Sequence, residues 1–286
     1  MKKKISGAEK FDQFYEEYWK ERWEPLKKAL LKDRVKVYRK NKWSLYKAIS
    51  DEVIEGCYQN EQIKVGLKNI KNFYFLDVAS VIAARNLPVK EGMKVLDMCA
   101  APGGKSLVLA EKMNGQGELV LNELSRTRRD RLKRVIDEYI PEEHKSFIDV
   151  RKYDGNNYGI HLKDEFDAVL LDAPCSGEEH LLHSPSELDK WNVKRTKRLS
   201  QNQYSLLCSA LLTVKSGGHI LYSTCSISPL ENDEVIRKLL TKKEGAVEIQ
   251  PIEQTYDMGE STEFGHMFLP DRCEAGPIYM CLMKKK

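Results

Sequence analysis

The sequence is poor in the patterns that bind metals or cross membranes. Its 286 residues include seven cysteines, an odd number, with no CxxC pair and no Cys/His cluster at metal-ligand spacing. This argues against a disulfide framework or a metal site and favours a reducing compartment. No uninterrupted apolar run approaches about 18 residues, so no segment is expected to span a membrane. At 41% apolar residues, the chain is still apolar enough to bury a substantial core.

Targeting signals are also missing from the start of the sequence. Residues 1–10 lack the apolar stretch of a secretory signal peptide. Acidic residues come early, at Glu9, Asp12, Glu16 and Glu17, unlike in a mitochondrial presequence. The sequence therefore predicts a cytoplasmic protein, with the mitochondrial matrix as the alternative if a leader has been removed.

Positive charge is concentrated near the N-terminus. Residues 1–50 carry 15 Lys and Arg against 7 acidic residues, a net charge of +8, whereas the whole chain totals only +4. Aromatic residues at 11, 15, 18 and 19 recur at helical spacing, so an amphipathic helix over 8–24, ending near Pro25, is predicted. Residues 1–68 are interpreted as a basic, aromatic-rich helical extension. Its aromatics are expected to pack on the main domain, and its lysines either face solvent or line an RNA path.

From about residue 69 onward, apolar runs alternate with helical patterns. Strands are predicted at 94–98, 118–122, 146–150, 167–172, 219–223 and 278–283, and helices at 104–113, 126–139, 196–214 and 230–241. This alternation predicts an α/β fold with a doubly wound, mostly parallel sheet. Ligands of such sheets bind beyond the carboxyl ends of the strands. The stretch 255–275 has no clear pattern.

The first strand runs into a turn of small residues. Ala100, Ala101, Gly103 and Gly104 leave room for a ligand to approach the backbone, but the turn matches neither the dinucleotide nor the P-loop fingerprint. The next strand ends at Glu123, about 20 residues further on, where a carboxylate can accept hydrogen bonds from both ribose hydroxyls. This combination predicts an adenosine-containing cofactor. The alternative for Glu123 is a helix-capping role.

Two further acidic residues follow later strands. Asp154 comes after the strand near 146–150, and Asp172 ends the strand 167–172. Carboxylates gathered at one edge repel each other, and a cationic ligand relieves that repulsion. A sulfonium cofactor fits this requirement better than a nicotinamide dinucleotide.

Two cysteines also follow strand ends, in polar turns. Cys175 follows Asp172, and Cys225 follows the strand near 219–223, so both thiols face one crevice if the strands are neighbours. Position alone leaves open whether they pack or act as nucleophiles. The other cysteines are interpreted as packing residues: Cys57, Cys99, Cys208, Cys273 and Cys281.

Three motifs resemble those of one enzyme family. The segments LDMCAAPGGKS (96–106), DAPCSG (172–177) and YSTCS (222–226) are similar to motifs of the Sun family of RNA (cytosine-5) methyltransferases. The resemblance covers residues 69–286, interpreted as one methyltransferase domain with a class I Rossmann-like fold. Residues 69–80 and 153–155, with the N-terminal helix, resemble a short branch containing mitochondrial ribosomal-RNA and transfer-RNA enzymes and bacterial relatives.

The resemblance implies S-adenosylmethionine as the cofactor and a covalent mechanism. Cys225 corresponds to the family nucleophile, Cys175 to the cysteine that assists product release, and Asp172 to the group contacting the base. The implied cofactor-binding residues are Pro102, Gly103, Gly104, Lys105, Glu123, Arg128, Asp154, Gly155 and Asp172. Many family members have Asp where this chain has Glu123, and Glu keeps both acceptor oxygens.

Basic stretches are consistent with an RNA substrate. Residues 126–134 carry six cations, interpreted as a solvated helix face with Arg128 on the cofactor side. Residues 190–198 carry five and are favoured as an RNA contact, with Trp191 available for stacking. The predicted RNA-binding residues are Lys190, Trp191, Lys194, Arg195, Lys197 and Arg198. Ribosomal RNA is favoured over transfer RNA, and the expected protein is a monomer aided by a helper protein or by its N-terminal segment. The alternatives are a catalytically silent RNA-binding scaffold and a methyltransferase acting on an exocyclic amine.

Overall fold

A nine-stranded sheet with helices on both faces forms the centre of the molecule. The computed structural model describes residues 5–286, so residues 1–4, with three of the N-terminal lysines, lie outside the described residues. The strands of the large sheet are β5 (Lys94–Asp97), β6 (Glu118–Asn122), β7 (Ile148–Arg151), β8 (Phe166–Asp172), β9 (Val214–Thr224), β10 (Val247–Gln250), β11 (Glu260–Ser261), β12 (His266–Phe268) and β13 (Ile278–Lys285). Strands β1 to β4 belong to a second sheet, described below.

The order of strands in the large sheet is β11-β12-β13-β9-β8-β5-β6-β7, with β10 paired to β13. The five strands from β9 to β7 are parallel, and β13 runs antiparallel to β9. The predicted mostly parallel, doubly wound α/β sheet is confirmed. Because β9, β8, β5 and β6 are neighbours, their carboxyl ends lie side by side.

Helices connect the parallel strands and cover both faces of the sheet. They are α3 (Val78–Asn86), α4 (Gly104–Met113), α5 (Arg126–Tyr139), α6 (Tyr158–His161), α7 (Glu178–Leu182), α8 (Pro185–Leu188), α9 (Val193–Thr213) and α10 (Asp233–Lys242). The predicted bounds of α4 and α5 are confirmed. The predicted strand 219–223 is longer in the structure, and the unassigned stretch 255–275 contains β11 and β12.

Alternating residues of the central strands build two apolar clusters. Val95 and Leu170 pack in the cluster on one face, and Leu96 and Val169 pack in the cluster on the other. All four side chains are fully buried. This two-sided burial explains the near-continuous apolar runs of β5 and β8. A rigid sheet of this kind fixes the turns that follow its strand ends.

Two N-terminal helices pack against the main domain. They are α1 (Gly7–Trp19) and α2 (Trp23–Leu31), joined by one 3₁₀ turn. The expected packing of the N-terminal aromatics is confirmed, since Phe11, Tyr15 and Trp23 are fully buried. The prediction that a single helix ends near Pro25 is wrong. Pro25 lies in the first turn of α2, where its missing N–H needs no helical partner.

A small antiparallel sheet follows these helices. Its strands are β1 (Val37–Lys40), β2 (Glu52–Ile54), β3 (Cys57–Gln59) and β4 (Phe73–Phe75), in the order β2-β3-β1-β4. The prediction of a helical extension is therefore wrong for much of residues 33–68. Because β4 pairs with β1 across the predicted division between residues 68 and 69, the two segments share this sheet. Among the described residues, no helix is long and apolar enough to cross a membrane.

Candidate active site

The turn after β5 wraps around a small cavity. The cavity is lined by Leu76, Asp97, Cys99, Ala100, Ala101, Pro102, Gly103, Gly104, Lys105 and Asp172. Gly103 has a φ of +116°, and a Cβ there would meet Val135 at 3.0 Å. A Cβ on Gly104 would come within 2.8 Å of Leu76. The left-handed backbone at Gly103 favours glycine, whereas a side chain at Gly104 would require the Leu76 and Tyr74 side chains to move.

Asp97 ends β5 at the floor of this cavity. Its Oδ2 atom accepts a hydrogen bond from Ser106 Oγ at 2.7 Å, whereas Oδ1 is buried without a partner among the described residues. Burial raises the pKa of this carboxyl group to about 7, against the opposing effect of the Ser106 hydrogen bond. The unpaired oxygen and the raised pKa make Asp97 a place where a cationic ligand would be stabilised.

Glu123 follows β6 and is almost completely buried. Its Oε1 atom accepts a hydrogen bond from the Ser125 backbone N–H at 2.9 Å. Its Oε2 atom lies 3.3 Å from Arg128 Nη1, but no hydrogen bond is aligned along this contact. Arg128 also donates to the Ala101 carbonyl at 2.7 Å, which ties α5 to the turn after β5. Glu123 thus presents a buried carboxylate oxygen that can still accept a hydrogen bond, as a ligand hydroxyl requires.

Asn122 connects the turn after β5 to the segment after β7. Its side-chain amide donates to the carbonyls of Met98 and Tyr153, and its oxygen accepts from the Tyr153 N–H. Asp154 is exposed and accepts from the Asn156 N–H at 3.0 Å, while Gly155 is buried. A Cβ on Gly155 would meet the Leu206 side chain at 2.7 Å, so a larger residue here would require Leu206 to move. These bonds bring the predicted cofactor residues of three different strand ends together.

Asp172 ends β8 and lies between two donors of this chain. Its Oδ2 atom accepts from Lys105 Nζ and its Oδ1 atom from Ser223 Oγ, both at 2.8 Å. Burial is the largest single effect and on its own would lower the pKa of Lys105, but the charge and hydrogen bond of Asp172, together with the charges of Cys225 and Asp97, raise the pKa overall. The ion pair with Lys105 and the hydrogen bond from Ser223 fix the orientation of the Asp172 carboxyl group. Each oxygen retains a lone pair that can accept from a ligand amino group.

The two predicted active-site cysteines lie next to each other. Strands β8 and β9 are parallel neighbours, and the sulfur atoms of Cys175 and Cys225 are 2.9 Å apart. The hydrogen bond with Cys225, followed by burial, raises the pKa of Cys175 well above its usual value. Either sulfur can donate in this contact, and Cys225 is the more exposed of the two. This arrangement presents one accessible sulfur supported by a second thiol.

The other five cysteines lie apart from this pair. Cys57 and Cys281 are buried, whereas Cys99, Cys208 and Cys273 are partly buried. Burial raises the pKa of Cys57 to about 11, so it stays a neutral thiol at physiological pH. Cys99 lines the cavity beside Asp97, which the packing interpretation did not anticipate.

The basic stretch 190–198 forms the entry to α9. Lys190, Lys194, Lys197 and Arg198 are exposed and Arg195 is partly buried. The stretch adjoins the Cys175 turn, because Thr196 lies 3.4 Å from Ser176, measured between the hydroxyl oxygens.

The prediction that Trp191 stacks on RNA is wrong for this structure. Its side chain is 4% exposed and packs against Phe11, Phe14 and Tyr15 of α1. An aromatic ring buried between two helices has no free face for a base. Trp191 instead connects the N-terminal helix to the start of α9.

Sequence reasoning missed several residues that support these groups. Ser223 orients Asp172, and two buried glutamates, Glu178 and Glu231, lie behind the cysteines. Ser223 was quoted within a motif but received no role. The glutamates lie just beyond the quoted motifs, in the first turn after each cysteine loop. Acidic residues at these two positions were the only sequence signal available.

The parallel sheet and the side chains gathered at its strand ends form a Rossmann-like fold with a ligand cavity beyond the carboxyl ends of the strands. Residues 84–284 match the family model described as "16S rRNA methyltransferase RsmB/F". The chain belongs to that family.

Relatives with known names support this assignment. The chain is 36% identical over 228 residues to the mitochondrial tRNA (cytosine(34)-C(5))-methyltransferase of Danio rerio, which covers 76% of this chain and 61% of the relative. It is 33% identical over 236 residues to the 5-cytosine rRNA methyltransferase NSUN4 of Bos taurus, covering 77% and 61%. The chain thus spans about three fifths of the length of these relatives. A methyltransferase homologue from Pyrococcus horikoshii shares the fold, with a TM-score of 0.77, 23% identity, and coverage of 96% of this chain and 94% of that one.

Proposed function

We propose that this protein transfers a methyl group from S-adenosylmethionine to C5 of a cytosine in RNA. The observation that carries the proposal is the pair of adjacent thiols, Cys175 and Cys225, beside the Asp172–Lys105 ion pair. Methyl transfer to an exocyclic amine needs no thiol, so that alternative leaves the cysteine pair unexplained. Methyl transfer to a ring carbon requires a nucleophile that first activates the ring.

The residues present fit S-adenosylmethionine. Two buried carboxylate oxygens, Asp97 Oδ1 and Glu123 Oε2, have no hydrogen-bond donor among the described residues. A ligand carrying a ribose diol and positive charge would supply partners for both. Pro102, Gly103, Gly104 and Lys105 would hold its amino-acid end, and Asp154 and Gly155 would contact its adenine. When bound, the cofactor supplies an electrophilic methyl group.

The protein side chains would activate the cytosine. The Cys225 sulfur forms a bond to C6, and the electron pair of the C5–C6 bond moves toward C5. Asp172 accepts a hydrogen bond from the exocyclic amino group and orients the ring. C5 would take the methyl group, and the sulfonium that gives it up would leave as a neutral thioether. A base would then remove the C5 proton, and the electron pair of that C–H bond would re-form the C5–C6 double bond as the S–C6 bond breaks and releases the Cys225 thiolate. Cys175 would assist this release as the neighbouring proton carrier.

A cytosine can react in this way only outside a base stack. C5 and C6 must be approached from a face of the ring, so the target is a flipped or single-stranded nucleotide. Loops, bulges and ends of RNA offer such nucleotides. The names of the relatives cover both ribosomal and transfer RNA, and the matched family is described for 16S ribosomal RNA. Ribosomal RNA is therefore the favoured substrate.

Bisulfite sequencing tests the substrate directly. Ribosomal and transfer RNA from cells with and without this gene are compared, and one cytosine is expected to lose protection when the gene is absent. The purified protein should then restore that mark with S-adenosylmethionine. If the mark appears only in transfer RNA, the ribosomal assignment is wrong. If no cytosine changes in either RNA, the proposed activity is wrong.

Cofactor binding should depend on the charge of Asp97. Because the pKa of Asp97 is raised to about 7, the carboxylate form dominates above pH 7 and the neutral form below it. The affinity for S-adenosylmethionine is expected to fall up to about tenfold per pH unit as the pH drops from 7 to 5.5. Calorimetric titration across this range measures the effect. Asp97→Asn should bind weakly and flatten the pH profile, and a wild-type affinity independent of pH would contradict this role.

The predicted RNA-binding cations oppose the helix dipole. Lys194, Arg195, Lys197 and Arg198 lie in the first two turns of the 21-residue helix α9, where the dipole favours negative charge. None of them forms an ion pair within the part of the chain that the structure describes, whereas Arg22, Arg34 and Arg39 do. A bound phosphate backbone would neutralise both the cations and the helix terminus. This supports α9 as the RNA contact next to Cys175.

Removing charge from the start of α9 should weaken RNA binding. The double variant Lys194→Gln and Lys197→Gln is expected to lower the affinity for RNA. The slope of the logarithm of the binding constant against the logarithm of the salt concentration should become shallower by about one to two. Filter binding over 50–300 mM salt measures both values. The matched control, Lys238→Gln and Lys242→Gln, changes exposed charges of α10. If the two double variants weaken RNA binding equally, the α9 cations are part of a solvated surface and not a specific RNA contact.

We also propose how the protein finds its RNA, in which oligomeric state it acts and in which compartment. The compact site leaves target choice to a helper protein or to the basic N-terminal segment, and a monomer suffices because all proposed catalytic groups come from one chain. The mitochondrial name of the Danio rerio relative supports the alternative compartment, and the cytoplasmic prediction remains untested.

A further inference from the structure

Two fully buried carboxylates lie behind the cysteine pair. Glu178 begins α7, three residues after Cys175, and Glu231 ends the 3₁₀ turn that follows the Cys225 loop. Both side chains have no solvent exposure. Neither forms an ion pair with a Lys, Arg or His of the described chain, so hydrogen bonds alone compensate their burial. We call Glu178 and Glu231 the crossed carboxylates because each follows the loop of one cysteine and binds the loop of the other.

Glu178 belongs to the Cys175 loop but holds the Cys225 loop. Its Oε1 atom accepts from Ser226 Oγ at 2.9 Å, and its Oε2 atom accepts from the Ile227 backbone N–H at 3.2 Å. Ser226 and Ile227 are the two residues directly after Cys225. The carboxylate therefore fixes the backbone that carries the exposed sulfur.

Glu231 makes the opposite connection. It follows the Cys225 loop, and its Oε2 atom accepts from the Ser176 backbone N–H at 3.0 Å, while Oε1 accepts from the Ser176 hydroxyl. Ser176 directly follows Cys175. Gln203 of α9 donates to Glu231 at 2.7 Å and to the Pro174 carbonyl at 2.9 Å, and so supports the same loop. Each carboxylate thus bonds the residue that adjoins the other cysteine.

Such an arrangement is costly, which argues for a role beyond packing. Burial raises the pKa of both crossed carboxylates, that of Glu231 to about 7, and the charge of Glu178 adds to the shift at Glu231. Two buried acids without a cation lower stability unless their hydrogen bonds are complete. Here those bonds run between the two loops whose cysteines must stay adjacent.

The N-terminal helix completes this network. The Tyr15 hydroxyl of α1 donates to Glu178 Oε1 at 2.5 Å, and the Tyr15 ring is fully buried. Arg34, which follows α2, pairs with Glu179, the next residue of α7. The His183 Nε2 atom lies 3.1 Å from the Leu30 carbonyl. The position of the Cys175 loop therefore depends on residues 15 to 34, which lie about 150 residues earlier in the chain.

We infer that Glu178 and Glu231 are positioning residues that set the separation of the Cys175 and Cys225 sulfur atoms, with Tyr15 fixing Glu178. The inference rests on the proposed function, because it concerns the geometry of that reaction. The carboxylates touch no reacting atom. They act through the loop backbone, where small displacements of a reacting group reduce the rate strongly.

Alanine and glutamine substitutions separate positioning from charge. Glu178→Ala is expected to lower kcat for RNA methylation on the order of 100-fold, with the Kd of S-adenosylmethionine changed less than about twofold. Glu178→Gln keeps an acceptor for Ile227 and should recover to within about tenfold of wild type. Glu187→Ala, on exposed α8, is the matched control and should behave as wild type.

A second readout needs no RNA. Phenylarsine oxide bridges two thiols with release of water and binds tightly only when the thiols are adjacent. Wild type should bind it, Cys175→Ala should not, and Glu178→Ala should bind at least about tenfold more weakly. If wild type methylates no RNA cytosine but these arsenical affinities follow the expected order, the proposed function fails and the positioning inference stands.

Tyr15→Phe tests the network with minimal risk to folding. It keeps the buried ring and removes one hydrogen bond, so a kcat decrease of about two- to tenfold is expected, with no effect from the exposed Tyr18→Phe. The effects of Tyr15→Phe and Glu178→Gln should not add, because both act through one bond. Wild-type kcat and arsenical affinity in a folded Glu178→Ala would overturn the inference. A loss of S-adenosylmethionine affinity in Glu178→Ala as large as its loss of kcat would also overturn the inference.

Discussion

The Cys175→Ala variant is expected to accumulate a covalent protein–RNA adduct that survives denaturation, whereas Cys225→Ala should form none. The two sulfur atoms are only 2.9 Å apart, so the Cys175 thiol lies within reach of a group bonded to Cys225. In the proposed mechanism the exposed Cys225 forms the bond to C6, and the Cys175 thiol assists its later cleavage. Without Cys175, the intermediate therefore persists. Denaturing gel electrophoresis with labelled RNA and S-adenosylmethionine measures the adduct.

The controls for this experiment come from the same chain. Cys208→Ala removes a partly buried thiol of α9 and should neither trap RNA nor lose activity. Cys225→Ala should lose methylation by more than about 1000-fold, as expected when a covalent nucleophile is removed. If an adduct forms in Cys225→Ala, Cys175 is the nucleophile and the proposed roles of the two cysteines are reversed. Full methylation by that variant would exclude covalent catalysis altogether.

Truncating a buried N-terminal aromatic should destabilise the whole protein. The Trp23 ring is fully buried, stacks on Tyr15 with centroids 5.1 Å apart, and donates from Nε1 to Asp12 at 3.2 Å. Trp23→Ala is expected to lower the free energy of unfolding by about 3–5 kcal/mol. Urea unfolding monitored by circular dichroism and by cofactor binding measures this loss.

The number of unfolding transitions tests whether the N-terminal helices unfold together with the main domain. Both probes should report one shared transition, because the helices α1 and α2 pack into the apolar cluster on one face of the large sheet. Tyr18→Ala, on the exposed side of α1, should change stability by no more than about 0.5 kcal/mol. A small effect of Trp23→Ala, or an early separate transition, would show that residues 1–68 form an independent unit.

Sequence patterns predicted the large sheet because its local signals are strong. β5 and β8 are apolar runs buried on both faces, and α5 begins with Ser125, whose side chain accepts from the Arg128 N–H. The small sheet was missed because β2 and β3 have three residues each and no alternation long enough to recognise. Pro25 was interpreted as the end of a helix, although proline is also tolerated in the first turn of one. The sequence does not show that a new helix, α2, begins just before Pro25.

The candidate site was predictable where a residue directly follows a strand. Glu123 and Cys225 do, Asp172 is the last residue of its strand, and parallel strands bring residues at such positions together. Trp191 and Glu178 were misjudged or missed because their roles depend on α1, which lies more than 150 residues away in sequence. The burial of Trp191 and the hydrogen bond of Glu178 both arise from contacts with α1, and such distant contacts leave no pattern in the neighbouring sequence.

The hydrogen bond between Tyr15 and Glu178 also constrains the order of assembly during synthesis. Its two partners are 163 residues apart, and the Ser226 bond to the same carboxylate requires almost 50 residues more. The apolar sides of α1 and α2 therefore leave the ribosome long before the surface that covers them exists. Contacts between distant residues form slowly, so this nascent chain is expected to need chaperone protection of its first two helices until the cysteine loops have formed.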